Sequence, residues 1–196
     1  MKQGRVGDGY GRVRTPDNSP ISCYCHRMKS GFVILAGRSN VGKSSLINTL
    51  TNSKISRTSA LPGRTTEINI FLINDSFYLV DLPGYGFARA SGTGREKIGE
   101  LIDSYLFNSL YHQKKVVLII DANVGFTERD MLMLSELENH NKDFIIVANK
   151  IDKMSQSEYY KKFIEIKKVA GEHEIIPFST KNKKGLEALS DKIFNY

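Results

Sequence analysis

"FVILAGRSNVGKSSLINTL", residues 32–50, decides the fold. Five apolar residues (32–36) run straight into "GRSNVGKS" (37–44), which has the spacing G-x-x-x-x-G-K-[ST] of a phosphate-binding loop. A helical stretch, 43–51, follows, so the loop joins a strand to a helix. Gly37 and Gly42 let the backbone curl until its N–H groups point inward at phosphates, and the helix start adds a favourable dipole. Lys43 supplies positive charge to the β- and γ-phosphates, and the Ser44 hydroxyl can join a magnesium shell. A glycine-rich turn between strand and helix is the plain alternative, and the full pattern in this context disfavours it. The motif points to a nucleoside triphosphate and leaves the base open.

Working outward, apolar strand-like runs alternate with amphipathic helical ones. The pattern predicts strands at 32–36, 67–73, 77–81, 116–121, 144–149 and 174–178, and helices at 43–51, 95–111, 128–140, 156–170 and 185–194. The short turn-prone "INDS" (73–76) makes the second and third strands an antiparallel hairpin. Helical crossovers separate the others, which implies a parallel sheet. The expected fold is α/β, a six-stranded mostly parallel sheet with one antiparallel strand and helices on both faces. Ligands of such sheets bind outside the carboxyl ends of the strands, so chemical motifs should follow strands.

Composition narrows the class. At 196 residues the chain suits one domain. Its longest apolar runs, "FVILA" (32–36) and "VVLII" (116–120), fall far short of the roughly 20 residues that span a bilayer. The first 30 residues hold no apolar block of a secretory signal, so the expected compartment is the cytoplasm, with no membrane partner. Of the net charge of +7, +4 lies in residues 1–30. That segment lacks either structural period and is rich in Gly, Pro, Asn and Ser, as expected of a flexible basic N-terminal extension. Met28 precedes the first strand and is a candidate translation start. Cys23, Cys25 and His26 cluster, but no fourth zinc ligand follows, so they read as unligated. The domain proper is 31–196.

The base is named by "NKID" (149–152), at the end of the strand "FIIVA". An Asp152 carboxylate accepts two hydrogen bonds from guanine N1–H and the exocyclic amine. Adenine offers no such pair, and a polar mismatch of this kind costs about 1–3 kcal/mol. Asn149 takes the other edge of the base and the Lys150 stem its face. "DLPG" (81–84) ends the third strand: Asp81 can hold magnesium through water, and Gly84 N–H can bond a γ-phosphate. "SALPGRTTE" (59–67) offers Thr65 and Thr66, either able by chemistry to complete the magnesium shell. "PFSTKNKKG" (177–185) places Ser179 and Thr180 near guanine O6.

Together these residues resemble the EngB (YihA/YsxC) family of GTP-binding proteins, within the TrmE-Era-EngA-EngB-septin-like superfamily. The resemblance covers residues 31–196 and is carried by "GRSNVGKSSLIN" (37–48), "PGRTTEINIF" (62–71), "LVDLPGYGFA" (79–88), "NKID" and "PFST". It implies a Ras-like fold, binding of GTP, GDP and Mg²⁺, and slow hydrolysis. It also implies a role in large ribosomal subunit assembly, with rRNA and ribosomal proteins as partners, and a link to cell division and septation. Its Pro-Gly-x-Thr pattern favours Thr65 over Thr66 as metal ligand, beside Ser44 and Asp81. The implied nucleotide contacts run through Gly37, Arg38, Ser39, Asn40, Val41, Gly42, Lys43 and Ser44; Gly63, Arg64, Thr65, Thr66 and Glu67; Asp81, Leu82, Pro83 and Gly84; Asn149, Lys150, Ile151 and Asp152; and Phe178, Ser179 and Thr180. Lys43, Thr65 and Gly84 would serve the chemistry.

Tyr85 stands where the best-known hydrolytic switches carry a water-orienting glutamine, which is why turnover should be slow. Three substitutes are open: Asn40 holding a potassium ion, Arg64 as an internal finger, or a group from a partner. Three function classes follow: a monomeric GTPase switch in ribosome assembly, a GTP-dependent scaffold for division proteins with negligible turnover, and a small-molecule kinase, which "NKID" argues against. The lysines of "HQKK" (112–115), of 161–162 and 167–168, and of "KNKK" (181–184) are candidates for an RNA-facing surface.

Overall fold

The computed structural model describes residues 12–13, 31–56, 67–73, 77–86, 92–109 and 113–194. Its strands are β1 (Arg12–Val13), β2 (Phe32–Gly37), β3 (Asn69–Ile73), β4 (Phe77–Asp81), β5 (Gln113–Asp121), β6 (Phe144–Asn149) and β7 (Ile175–Pro177). The helices are α1 (Lys43–Leu50), α2 (Gly92–Phe107), α3 (Glu128–Asn139), α4 (Gln156–Ala170) and α5 (Leu186–Phe194). All six expected strands and all five helices are present. The two-residue β1 adds to the sheet, pairing antiparallel with the β3 edge at Phe71 and Ile70. An edge strand presents unpaired N–H and C=O groups that any nearby extended segment can use. Met28, Cys23, Cys25 and His26 lie outside the described residues.

The sheet order is β1-β3-β4-β2-β5-β6-β7, with β3 antiparallel to β4 and β2, β4, β5, β6 and β7 parallel. All six residues of β2 are buried because helices cover both faces, which is why its sequence is a continuous apolar run. Alternate side chains divide between two cores. Phe32, Ile34 and Ala36 pack with Leu106 of α2, Leu134 and Leu137 of α3, and Ile166 of α4. Val33 and Leu35 face the other way, toward Leu46 and Ile47 of α1 and Leu189 and Ile193 of α5. The chain leaves β2 for strands on one side of it and later returns to strands on the other. The ends of β2, β4, β5 and β6 therefore surround the switch point where such sheets bind ligands.

Several element ends differ from expectation, most of all those of α2 and β5. Helix α2 includes Gly92 and ends at Phe107, and β5 begins at Gln113 rather than residue 116. The Gln113 side chain donates to Tyr105 O at 2.6 Å and to Ser109 Oγ at 2.9 Å, tying the strand's start to the end of the helix. The earlier start also corrects the reading of "HQKK" as surface. Lys115 is 3% exposed and its Nζ lies 2.9 Å from Asp143 Oδ2. It serves the sheet and cannot face a partner.

Candidate functional site

The loop after β2 is shaped by two left-handed residues. Asn40 has φ 66° and Gly42 φ 106°, both left-handed, so the chain curls tightly before entering α1. At Gly42 there is no room for a side chain: a Cβ would stand 2.3 Å from Asn149 Nδ2. That amide crosses over the glycine to donate to Val41 O at 2.8 Å, linking the loop to the end of β6. Lys150 (φ 69°) makes a second link, donating to Asn40 O at 2.6 Å and Asp121 Oδ2 at 2.7 Å. The "GRSNVGKS" loop and "NKID", over a hundred residues apart, are thus tied directly together.

Lys43 is buried, and its Nζ donates to Gly37 O at 2.9 Å and Arg38 O at 3.0 Å. Burial lowers its pKa to about 8, partly offset by the negative charge of Asp81. Burial likewise raises the pKa of Asp81, while Lys43 and bonds from Ser44 and Ser56 lower it. Ser44 Oγ donates to Asp81 Oδ2 at 2.9 Å and Ser56 Oγ to the same oxygen at 3.3 Å. Asp81 Oδ1 is buried with no hydrogen-bond partner among the described residues. A hydroxyl and a carboxylate side by side, with one carboxylate oxygen unspent, are hard-oxygen donors of the kind a magnesium ion takes along with phosphate and water. Among the described residues no cluster of three or more His, Cys, Asp or Glu forms a separate metal site.

The "DLPG" segment folds onto the phosphate loop. Ser39 N–H donates to Tyr85 O at 3.2 Å, and a Cβ on Gly84 would lie 2.6 Å from both Ser39 N and Cα. Only glycine allows the two backbones to approach this closely. Tyr85 turns its ring away to α3, where its hydroxyl donates to Asp130 Oδ1 at 2.9 Å. Burial and that carboxylate push the hydroxyl well above its usual pKa, so it stays a donor. Asp130, completely buried, also accepts from Arg38 Nε at 2.9 Å. Neither contact was foreseen. "TERD" (127–130) carries a helix-capping signal, S/T-x-x-D, and the structure has that capping box. No sequence pattern marks its long-range partners.

At the base end, Asn149 is buried with Oδ1 unpartnered among the described residues. Asp152 is exposed, and its Oδ1 accepts from Ser179 Oγ at 2.5 Å. Ser179 Oγ in turn accepts from the Lys181 and Asn182 N–H groups at 3.2 and 3.3 Å, ordering the last motif around the aspartate. Thr180 is half-buried beside it. Val41, Leu82, Ile151 and Phe178 have side chains buried in the protein, so these positions can offer a ligand only main-chain atoms. Pro83 joins Asp81 to Gly84, and Glu67 is exposed just before β3. Gly63, Arg64, Thr65 and Thr66 lie outside the described residues.

The GTPase family described as 50S ribosome-binding GTPase matches residues 32–150. The chain is 42% identical over 183 residues to the probable GTP-binding protein EngB of Clostridium botulinum strain Eklund 17B, covering 91% of this chain and 89% of that one. The corresponding EngB of Thermotoga maritima is 41% identical over 184 residues, 92% and 91% of the two chains. The chain belongs to the EngB family of GTP-binding proteins. A crystal structure of a probable GTP-binding protein EngB superposes with TM-score 0.71 at 26% identity, over 84% of this chain and 97% of that one. Era, solved with MgGDPNP and nucleotides 1506–1542 of 16S ribosomal RNA, superposes at 0.70 and 29% identity over 86% of this chain. This chain spans 57% of Era's length. EngB membership makes the chain a GTP-binding protein and places it in a GTP-hydrolysing class. Among the described residues no helix is long and apolar enough to cross a membrane.

Proposed function

We propose that this EngB-family chain is a slow GTPase that acts as a monomeric cytoplasmic switch in assembly of the large ribosomal subunit. A link to division and septation would follow from that role. The observation that carries the switch is the Gly84–Tyr85 segment lying directly on the phosphate loop, where a γ-phosphate would be read. Lys43 and the loop N–H groups hold the β- and γ-phosphates, Gly84 N–H senses the γ-phosphate, and Asp152 with Asn149 reads guanine. Ser44 and Asp81, the latter through water, would hold Mg²⁺ with Thr65. When bound, the ion neutralises charge on the phosphates.

Slow turnover follows from Tyr85. Its side chain is engaged by Asp130 and carries no amide to orient water. Asn40 is exposed at the crest of the loop and is our candidate ligand for a potassium ion that would take over part of the charge neutralisation. GTP turnover should be several-fold faster in KCl than in NaCl, and Asn40→Ala should erase the difference. Equal rates in the two salts for the unmodified chain would exclude this role, leaving Arg64 or a partner's group.

The ribosomal reading is supported by the description of the matching family and by exposed lysines on this domain. Lys161, Lys167 and Lys168 of α4 and Lys181, Lys183 and Lys184 beyond β7 are all exposed. Lys162 is a weaker candidate, since it pairs with Glu165 at 2.9 Å. The test is depletion of the protein followed by gradient separation of ribosomal particles. Immature large subunits should accumulate; normal profiles with a division defect would favour the scaffold reading.

A further inference from the structure

Asp130 collects more hydrogen bonds than a helix start needs. Thr127 N–H and Oγ1 donate to its Oδ2 at 3.0 and 2.7 Å, and these belong to the capping of α3. A completely buried carboxylate also needs a counter-charge, and Arg38 of the phosphate loop supplies it at 2.9 Å. The Tyr85 hydroxyl is required by neither purpose, yet it closes on the remaining oxygen at 2.9 Å.

The consequence lies one residue earlier. The Tyr85 main chain is held by Ser39 N–H at 3.2 Å, Arg38 and Tyr85 form a parallel β-bridge, and the Tyr85 ring is held by α3. Gly84 is thereby fixed from two directions, against Ser39 on one side and through Tyr85 on the other. We infer that Asp130 is a positioning residue for γ-phosphate sensing: through Arg38 and the Tyr85 hydroxyl it holds the Gly84 N–H against the phosphate loop before a triphosphate arrives. A segment ordered in advance spends less of the ligand's interaction energy on ordering, and the gain falls on the ligand that uses the segment. GDP lacks the γ-phosphate that the Gly84 N–H would bond; GTP carries it. The tyrosine in the glutamine position then has a task of its own, in discriminating nucleotides rather than hydrolysing them. The inference rests on the switch reading above.

The experiment uses the full chain with Mg²⁺ and measures dissociation constants for GDP and a non-hydrolysable GTP analogue, with a melting curve for each variant. Tyr85→Phe keeps the ring and removes only the hydroxyl. It should leave GDP affinity within about twofold and weaken the analogue by about tenfold, the scale of one hydrogen bond to a charged group. Asp130→Asn removes the charge that pairs with Arg38 but keeps an oxygen that can accept from the Tyr85 hydroxyl, so it should act in the same direction, and adding Tyr85→Phe to it should weaken the analogue further. If Tyr85→Phe weakens both nucleotides equally, or neither, Asp130 is a helix cap and counter-ion alone and the inference is overturned. Because Phe fits the same space, this variant decides the matter even if Asp130→Asn fails to fold. Failure of the switch reading looks different: the unmodified chain would then bind GDP and the analogue without any response to the γ-phosphate.

Discussion

Lys43→Ala is expected to abolish measurable binding of both GTP and GDP while leaving a folded protein. Lys43 is already buried and gives its protons to two loop carbonyls, those of Gly37 and Arg38, so the loop holds it in place for phosphate. A bound nucleotide would offer it charged oxygens instead. Hydrogen bonds to charged groups contribute roughly 1.5–3 kcal/mol each, so losing two weakens binding by about a hundredfold or more. The two β-sheet cores that flank the site do not use Lys43, so the fold should persist. Asp81 loses its nearby positive charge, and its pKa should rise further. Titration calorimetry with GDP and Mg²⁺, with a melting curve on the same sample, checks both halves of this expectation. Binding within about threefold of the unmodified protein would mean that the phosphates sit elsewhere.

Much of this could be read from the chain because the relevant spacings are local. The phosphate loop, "DLPG", "NKID" and "PFST" each occupy a few consecutive residues, and each begins at the end of a strand of the sheet. Backbone curvature and strand ends carry such sites, and both are encoded nearby in sequence. What escaped was the work of side chains that meet across the fold. Asp130 binds Arg38, 92 residues earlier, and Tyr85, 45 residues earlier. The capping signal predicts only its local role. Lys115 was misread for the opposite reason: in "HQKK" it looks like any surface lysine, and only the extra strand length buries it against Asp143. Tyr85 was read as the absence of a glutamine, and the structure supplies its partner instead.

The second large effect concerns the base. Asp152 is held in orientation by the Ser179 hydroxyl, which two loop N–H groups hold in turn. In Asp152→Asn the side-chain oxygen can still accept from Ser179, so the pocket keeps its shape. Its amide, however, now donates where guanine also donates through its exocyclic amine, and xanthine has an accepting oxygen there. Guanine should lose at least one charge-assisted hydrogen bond, about tenfold to a hundredfold in affinity, and xanthine should gain by a similar factor. The direct measurement is the ratio of GTP to XTP affinity in the unmodified chain and in Asp152→Asn, with Mg²⁺ and matched salt. A guanine-reading switch predicts a strong GTP preference that inverts to XTP in the variant; a GTP preference unchanged by Asp152→Asn would contradict the guanine pocket assigned to this site.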